Sequence, residues 1–238
     1  MKSKLIEIFS SIQGEGLWIG KPQVFVRFKG CRLQCSYCDT PLTHAAIFQS
    51  RVEKKPFSGI FQSQPLEYTV DQLNCELQNF SVRSLALTGG EPLEQVDFLQ
   101  EWLPTLNGYE ILLETSGIEV AAYEKIASFI SITSMDIKIP SATKEKPCWD
   151  LHYQFLKLTA KKSCYVKIVY DENLLLEEKK EIAALIDAYP PVIFIFQPVS
   201  PLRQRNLKIC FNHFDYFSKN FSQQVRLIPQ VHKFLSIL

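Results

Sequence analysis

Three cysteines crowd into eight positions, in the order Cys31-Arg-Leu-Gln-Cys35-Ser-Tyr-Cys38. Thiolates are ligands for zinc and for iron–sulfur clusters. Four of them close a tetrahedral zinc site or saturate all the irons of a cubane cluster. Three hold three irons and leave the fourth with an open coordination position, where a small molecule with an amino and a carboxylate group can bind. The alternative is a zinc site that recruits Cys75, Cys148, Cys164 or Cys210 as its fourth ligand. Those cysteines stand alone in apolar patterns, where the residue usually behaves as a small hydrophobe.

A second signal is Thr88-Gly89-Gly90-Glu91-Pro92, which follows the apolar run Ser84 to Leu87. Glycines at a strand end let the backbone approach a ligand and present its N–H and C=O groups. Other polar residues also punctuate apolar runs: Glu114, Asp136, Lys138 and Gln197 each sit at or near the carboxyl end of one. In parallel α/β architectures that edge is where ligands bind.

The elements that must position these residues alternate along the chain. Strands are expected over 24–28, 84–88, 110–114, 132–138, 165–170, 192–197 and 225–228, all rich in Val, Ile, Leu and Phe, as strands buried on both faces tend to be. Between them lie helical spacings, such as Val70, Leu73, Leu77 and Phe80, or Val96, Leu99 and Leu103. Strand ends recur every 22 to 32 residues or so, the length of a strand and a returning helix. The rhythm predicts an α/β fold, a parallel sheet closing into a partial (β/α) barrel like a TIM barrel, in a single domain spanning 1–238. One stretch breaks it. Residues 45–69 are polar and mixed, and read as an insertion or lid.

Composition bounds the rest. The chain has 238 residues, 46% hydrophobic and 21% charged, with a net charge of +1. These are the proportions of a globular protein with a sizeable core, and bulk charge gives no sign of a nucleic-acid surface. No run approaches the roughly 18 consecutive apolar residues of a membrane span, and the first residues lack the pattern of a secretory leader. Seven cysteines, an odd number, argue against a disulfide scaffold and for a cytoplasmic protein with reduced thiols.

The pairing of the cysteine motif with the Gly-Gly-Glu-Pro strand end resembles the radical S-adenosylmethionine superfamily. Further motifs narrow the likeness: Ile6-Glu-Ile-Phe-Ser-Ser-Ile-Gln-Gly-Glu-Gly16, Phe25-Val-Arg-Phe-Lys-Gly30, Cys38-Asp-Thr40, Leu113-Glu-Thr-Ser-Gly117, Met135-Asp-Ile-Lys-Ile-Pro140 and Arg226-Leu-Ile-Pro-Gln-Val-His-Lys233. Over nearly the whole chain they resemble the 7-carboxy-7-deazaguanine synthase family. The resemblance implies a [4Fe–4S] cluster on Cys31, Cys35 and Cys38, whose open iron binds S-adenosylmethionine and whose electron releases a 5′-deoxyadenosyl radical. It implies cofactor contacts from Tyr37, Cys38, Asp39, Gly90, Asp136, Ile137 and Lys138. The family often has Ser-Pro-Lys where this chain has Asp136-Ile137-Lys138, so only the lysine matches there.

The reaction implied is ring contraction of 6-carboxy-5,6,7,8-tetrahydropterin to 7-carboxy-7-deazaguanine with loss of ammonia, on the way to queuosine. Substrate contacts would come from Ile12, Gln13, Gly14, Glu15, Arg27, Thr88, His232 and the terminal carboxylate of Leu238. A pterin edge alternates donors and acceptors, and Arg27 has the fork that suits a carboxylate. Thr40 falls where the family ligates Mg²⁺, an ion that prefers oxygen ligands. A homodimer and a flavodoxin or ferredoxin electron donor are also implied, with no nucleic-acid or membrane partner. Two rivals share parts of this pattern. A glycyl-radical-enzyme activase has the same two central motifs but acts on a protein loop. A non-catalytic zinc or iron–sulfur module has no need of a polar strand edge.

Overall fold

The computed structural model describes residues 1–160, 162–201 and 204–237, the last stretch with its first two residues as backbone only. In chain order the elements are β1 (Lys2–Ile12), β2 (Pro22–Phe28), β3 (Gln49–Glu53), β4 (Phe61–Pro65), β5 (Glu67–Thr69), α1 (Val70–Leu77), β6 (Ser84–Gly89), α2 (Val96–Trp102), β7 (Glu110–Thr115), α3 (Val120–Ile126), β8 (Ile132–Lys138), α4 (Pro140–Thr143), α5 (Trp149–Thr159), β9 (Cys164–Tyr170), α6 (Leu176–Ala188), β10 (Ile193–Pro198), α7 (Gln204–Phe221), β11 (Val225–Leu227) and α8 (Val231–Leu235). The seven expected strands are present, with ends within two residues of the expected ones.

Those seven form one parallel array in the order β11-β10-β9-β8-β7-β6-β2. Each step follows from the last through a helical return, as parallel pairing requires. Beyond β2 the sheet changes character. β1 pairs antiparallel with β2, β3 runs parallel to β1, β4 pairs antiparallel with β3, and β5 pairs with the start of β1. Residues 45–69 therefore add strands to this flank. α1 begins at a capping box, in which the Thr69 hydroxyl accepts from the Gln72 N–H and the Gln72 side chain accepts from the Thr69 N–H.

The period of two along each strand divides the structure into two layers. Outward residues such as Leu85, Leu87, Leu113, Met135, Val166, Ile168, Phe194 and Phe196 meet Leu99, Trp102, Tyr123, Phe155, Ile182, Leu185 and Phe217 from the helices. Each such side chain contributes about 1.5–3 kcal/mol on full burial. Inward residues form a smaller cluster of Phe9, Phe25, Ala86, Leu112, Ile132, Tyr165 and Ile195. That cluster lines the interior of the barrel. Two residues further along the same strands, the inward positions become Arg27, Thr88, Glu114, Ser134, Lys167 and Gln197. One alternation thus supplies an apolar floor and, a rung above it, a polar wall.

The sheet curls far enough for the segment after β1, which leaves beside the start of β2, to reach across to β7 and β9. Gln13 Nε2 donates to Glu114 Oε1 on β7 at 3.1 Å, and Glu15 pairs with Lys167 on β9. Among the described residues β11 and β4 end the strand order and do not pair with each other. Among the described residues no helix is long and apolar enough to cross a membrane.

Candidate active site

The cysteine loop leaves β2 and is pinned from two sides. The Ser36 N–H donates to Thr143 O at 2.9 Å and the Arg32 N–H to Glu94 Oε1 at 2.6 Å. The Cys38 N–H donates to Cys35 O at 3.0 Å, which folds the loop back on itself. Cys31 and Cys35 are half-buried and Cys38 is exposed. Burial pushes the Cys31 thiol up to about 12 and the Cys35 thiol up as well. All three cysteines line one pocket of about 200 Å³. Cys75, Cys148, Cys164 and Cys210 do not line it. A donor set of three thiols facing a shared space fits an iron–sulfur cluster with one open iron and lacks the fourth thiolate of a closed zinc site.

The Gly-Gly-Glu-Pro turn crosses this loop at contact distance. The Gly90 N–H donates to Phe28 O at 3.0 Å and the Glu91 N–H to Gly30 O at 2.8 Å. A Cβ on Gly90 would lie 1.7 Å from the Gly30 carbonyl oxygen and 2.9 Å from Thr43 Cγ2. Gly90→Ala is accordingly expected to force the two loops apart and to destabilise the protein by roughly 1–3 kcal/mol or more. Urea denaturation together with iron content after reconstitution checks this. Glu91 is buried and accepts from the Thr115 hydroxyl (2.8 Å), the Ser116 hydroxyl and N–H (2.6 and 2.8 Å) and the Leu93 N–H (3.2 Å). Burial pushes its carboxyl up against those bonds. The carboxylate ties the glycine turn to the end of β7.

The same pocket is lined by Ile12, Gln13, Gly14, Glu15, Arg27, Tyr37, Asp39, Thr40, Thr88, Gly90, Glu114, Asp136, Lys138, Lys167, Gln197, Gln230 and His232. This set contains the expected site residues apart from two. Ile137 is fully buried among the helix-facing side chains, which leaves only its main chain for a ligand. Leu238 lies outside the described residues.

Near the cysteines, Lys138 Nζ donates to Asp136 Oδ2 at 2.8 Å and stands 5.8 Å from the Tyr37 ring. Tyr37 Oη, Asp136 Oδ1 and Gln197 Oε1 are buried polar atoms with no protein partner among the described residues. Orphaned groups of this kind are rare in folded proteins, and here they line a cavity flanked by the cysteines. The lining thus fits a polar cofactor such as S-adenosylmethionine.

The far side of the pocket is a continuous polar network. Thr88 Oγ1 donates to Glu114 Oε2 at 2.6 Å. Gln13 Nε2 donates to both Glu114 and Gln23, and its Oε1 accepts the Glu15 N–H at 3.0 Å. Glu15 pairs with Lys167 and accepts from Gln230 Nε2 at 2.7 Å. Burial opposes its charge, yet Lys167 and these bonds hold the Glu15 carboxyl down at about 2. Arg27 donates from Nη1 to Thr40 Oγ1 at 3.1 Å, and Thr40 donates to Asp39 at 3.3 Å. The tail closes this side. The Val231 N–H donates to Gly14 O at 2.9 Å, and His232 packs where a Gly14 Cβ would stand, with Nδ1 2.2 Å from that point.

Glu7, Glu91, Lys167 and Gln230 were not singled out from sequence. Lys167 had a legible signal, a lone cation inside the apolar strand Tyr165-Val-Lys-Ile-Val. Gln230 had none.

Comparison with known proteins agrees with this geometry. Residues 25–171 match the model of the Radical SAM superfamily. A 7-carboxy-7-deazaguanine synthase of Geobacter sulfurreducens is 34% identical over 99% of this chain and 98% of its own. One of Archaeoglobus fulgidus is 32% identical over the whole of both chains. The crystal structure of QueE from Escherichia coli has a TM-score of 0.62, covering 98% of this chain and 95% of that one at 18% identity, a likeness of fold. The chain is a member of the 7-carboxy-7-deazaguanine synthase family of radical S-adenosylmethionine enzymes.

Proposed function

We propose that the chain converts 6-carboxy-5,6,7,8-tetrahydropterin to 7-carboxy-7-deazaguanine with release of ammonia, as a cytoplasmic step toward queuosine. When bound, the cluster and S-adenosylmethionine supply a carbon radical that abstracts hydrogen from the substrate. The chain's own residues bind and orient. The reading rests on one observation: a buried amide and carboxylate edge (Gln13, Glu15) and a guanidinium (Arg27) share one pocket with the three cysteines.

Glu15, kept ionised by Lys167, accepts from the N–H groups of the pterin ring, while Gln13 offers a fixed amide. Arg27 takes the 6-carboxylate through its terminal nitrogens, and Thr88 adds a hydroxyl at the strand edge. His232 and the Leu238 carboxylate close over the ligand from the tail. Cys31, Cys35 and Cys38 hold the cluster, beside which Tyr37, Asp39, Gly90, Asp136, Lys138 and the main chain of Ile137 receive S-adenosylmethionine. Thr40 would hold a Mg²⁺ ion through its hydroxyl, and such an ion would help to orient the substrate carboxylate. The strands of 45–69 are an insertion within a single domain, the active form is a homodimer, and a flavodoxin or ferredoxin delivers the electron.

Anaerobically reconstituted protein, given reductant, S-adenosylmethionine, Mg²⁺ and the carboxypterin, is expected to yield the deazapurine by mass spectrometry. Cleavage of S-adenosylmethionine without any deazapurine would keep the radical chemistry and remove the substrate assignment. Omitting Mg²⁺ in the presence of a chelator is expected to lower the rate; an unchanged rate would remove Thr40 as a metal ligand.

A further inference from the structure

Glu7 lies on β1 outside the pocket lining, and only 5% of its side chain is exposed. Both carboxylate oxygens are engaged. Oε1 accepts from Arg27 Nε at 2.7 Å, and Oε2 accepts from Arg51 Nε at 2.6 Å with Arg51 Nη2 at 2.5 Å. Arg27 is the guanidinium that faces the pocket. Arg51 comes from β3, and its guanidinium stands 4.5 Å over the Phe61 ring of β4. The three residues are linked by sheet register, since Glu7 pairs with Arg27 across β1–β2 and with Arg51 across β1–β3.

We propose that Glu7 and Arg51 are positioning residues for the substrate carboxylate, acting through Arg27. The inference rests on the reading of Arg27 as the carboxylate receptor. A guanidinium whose plane is already fixed loses less freedom when it binds a carboxylate bidentately. Glu7 occupies Nε, and Nη1 donates to Thr40 of the pocket lining, so the terminal nitrogens face the pocket. Arg51 occupies the second oxygen, so Glu7 itself has one orientation. Two arginines and one glutamate leave one positive charge uncompensated, which an anionic ligand balances. The strands of 45–69 then have a function: they carry the arginine that buttresses this clamp.

The test measures binding to the reconstituted holoenzyme with S-adenosylmethionine but no reductant, by anaerobic calorimetry. Two ligands are compared, 6-carboxy-5,6,7,8-tetrahydropterin and 5,6,7,8-tetrahydropterin, which lacks the carboxylate. Wild-type protein is expected to prefer the carboxylated ligand. Glu7→Gln keeps the shape but loses the charge, and is expected to weaken that ligand about 10-fold, the effect of roughly 1.4 kcal/mol, while leaving the other unchanged. Arg51→Gln, on a half-exposed side chain that leaves the fold intact, is expected to weaken the same ligand 2- to 5-fold or so, the size of a single surface charge contact. Equal losses for both ligands would mean that Glu7 is merely structural and would overturn the inference. So would a full wild-type preference retained in both variants. A wild-type protein with no preference would instead remove Arg27 as the carboxylate receptor, and the inference with it.

Discussion

Cys35→Ala is expected to lower turnover by about 10³-fold or more, a loss of roughly 4 kcal/mol of transition-state stabilisation. The physical reason is coordination number. Three thiolates within one loop leave one iron for the cofactor, and two leave a second iron without its anchor. Because Cys35 is a half-buried loop residue, the core should be unaffected. The circular dichroism spectrum and urea midpoint should stay near wild type while bound iron falls well below four atoms per chain. Cys75→Ser is the matched control, since Cys75 is exposed on α1 and does not line the pocket. It should retain both iron and turnover. If Cys35→Ala kept its iron and activity, the assignment of the cluster to this loop would fail.

Lys167→Met carries the largest expected effect on stability. Lys167 and Glu15 are a buried ion pair in the pocket wall, with side chains 7% and 11% exposed. Removing one partner of such a pair costs about 3–5 kcal/mol, because the remaining charge is left in a poorly solvated place. Gln230 still donates to Glu15 and softens that cost. Removing both charges, as Lys167→Met with Glu15→Gln, should recover much of the loss. A double variant no more stable than Lys167→Met would contradict this account. The pH dependence has a definite sign. Glu15 is held at about 2, below its ordinary 4.5, so its ionised form stabilises the fold. That contribution is complete above the ordinary value and is lost as pH falls from there toward 2. In Lys167→Met the main influence holding the carboxyl down is gone, so acid unfolding should begin at higher pH. Urea midpoints followed downward from neutral pH would show the two curves separating as the solution is acidified.

The sequence determined this protein's architecture and its chemistry to a large extent. Parallel strands buried on both faces are continuous apolar runs, so β6 to β11 were legible one by one. Their register of polar residues at the carboxyl ends was legible too, because a period of two is a local property. The cysteine spacing and the glycine turn are likewise local, and it is the two together that resemble the radical S-adenosylmethionine superfamily. β1 and the strands of 45–69 were less legible, because an antiparallel flank pairs residues through a sheet edge that no short window contains.

Only the tertiary structure decided which charges meet. Glu15 and Lys167 are 152 positions apart, and Glu15 and Gln230 are 215 apart. Nothing in either neighbourhood specifies the other. They meet because the sheet curls until the segment after β1 reaches β7 and β9, and because the tail returns over that segment. Ile137 shows the converse. The motif put it among the cofactor contacts, but it alternates with Asp136 and Lys138, so its side chain turns to the helices. Glu7 is the same lesson at shorter range: it stands in a motif that resembles the family's, but only strand pairing places it between two arginines. Residue types and spacing state which groups are available, while the partner that sets each group's charge and orientation depends on how distant strands are brought together.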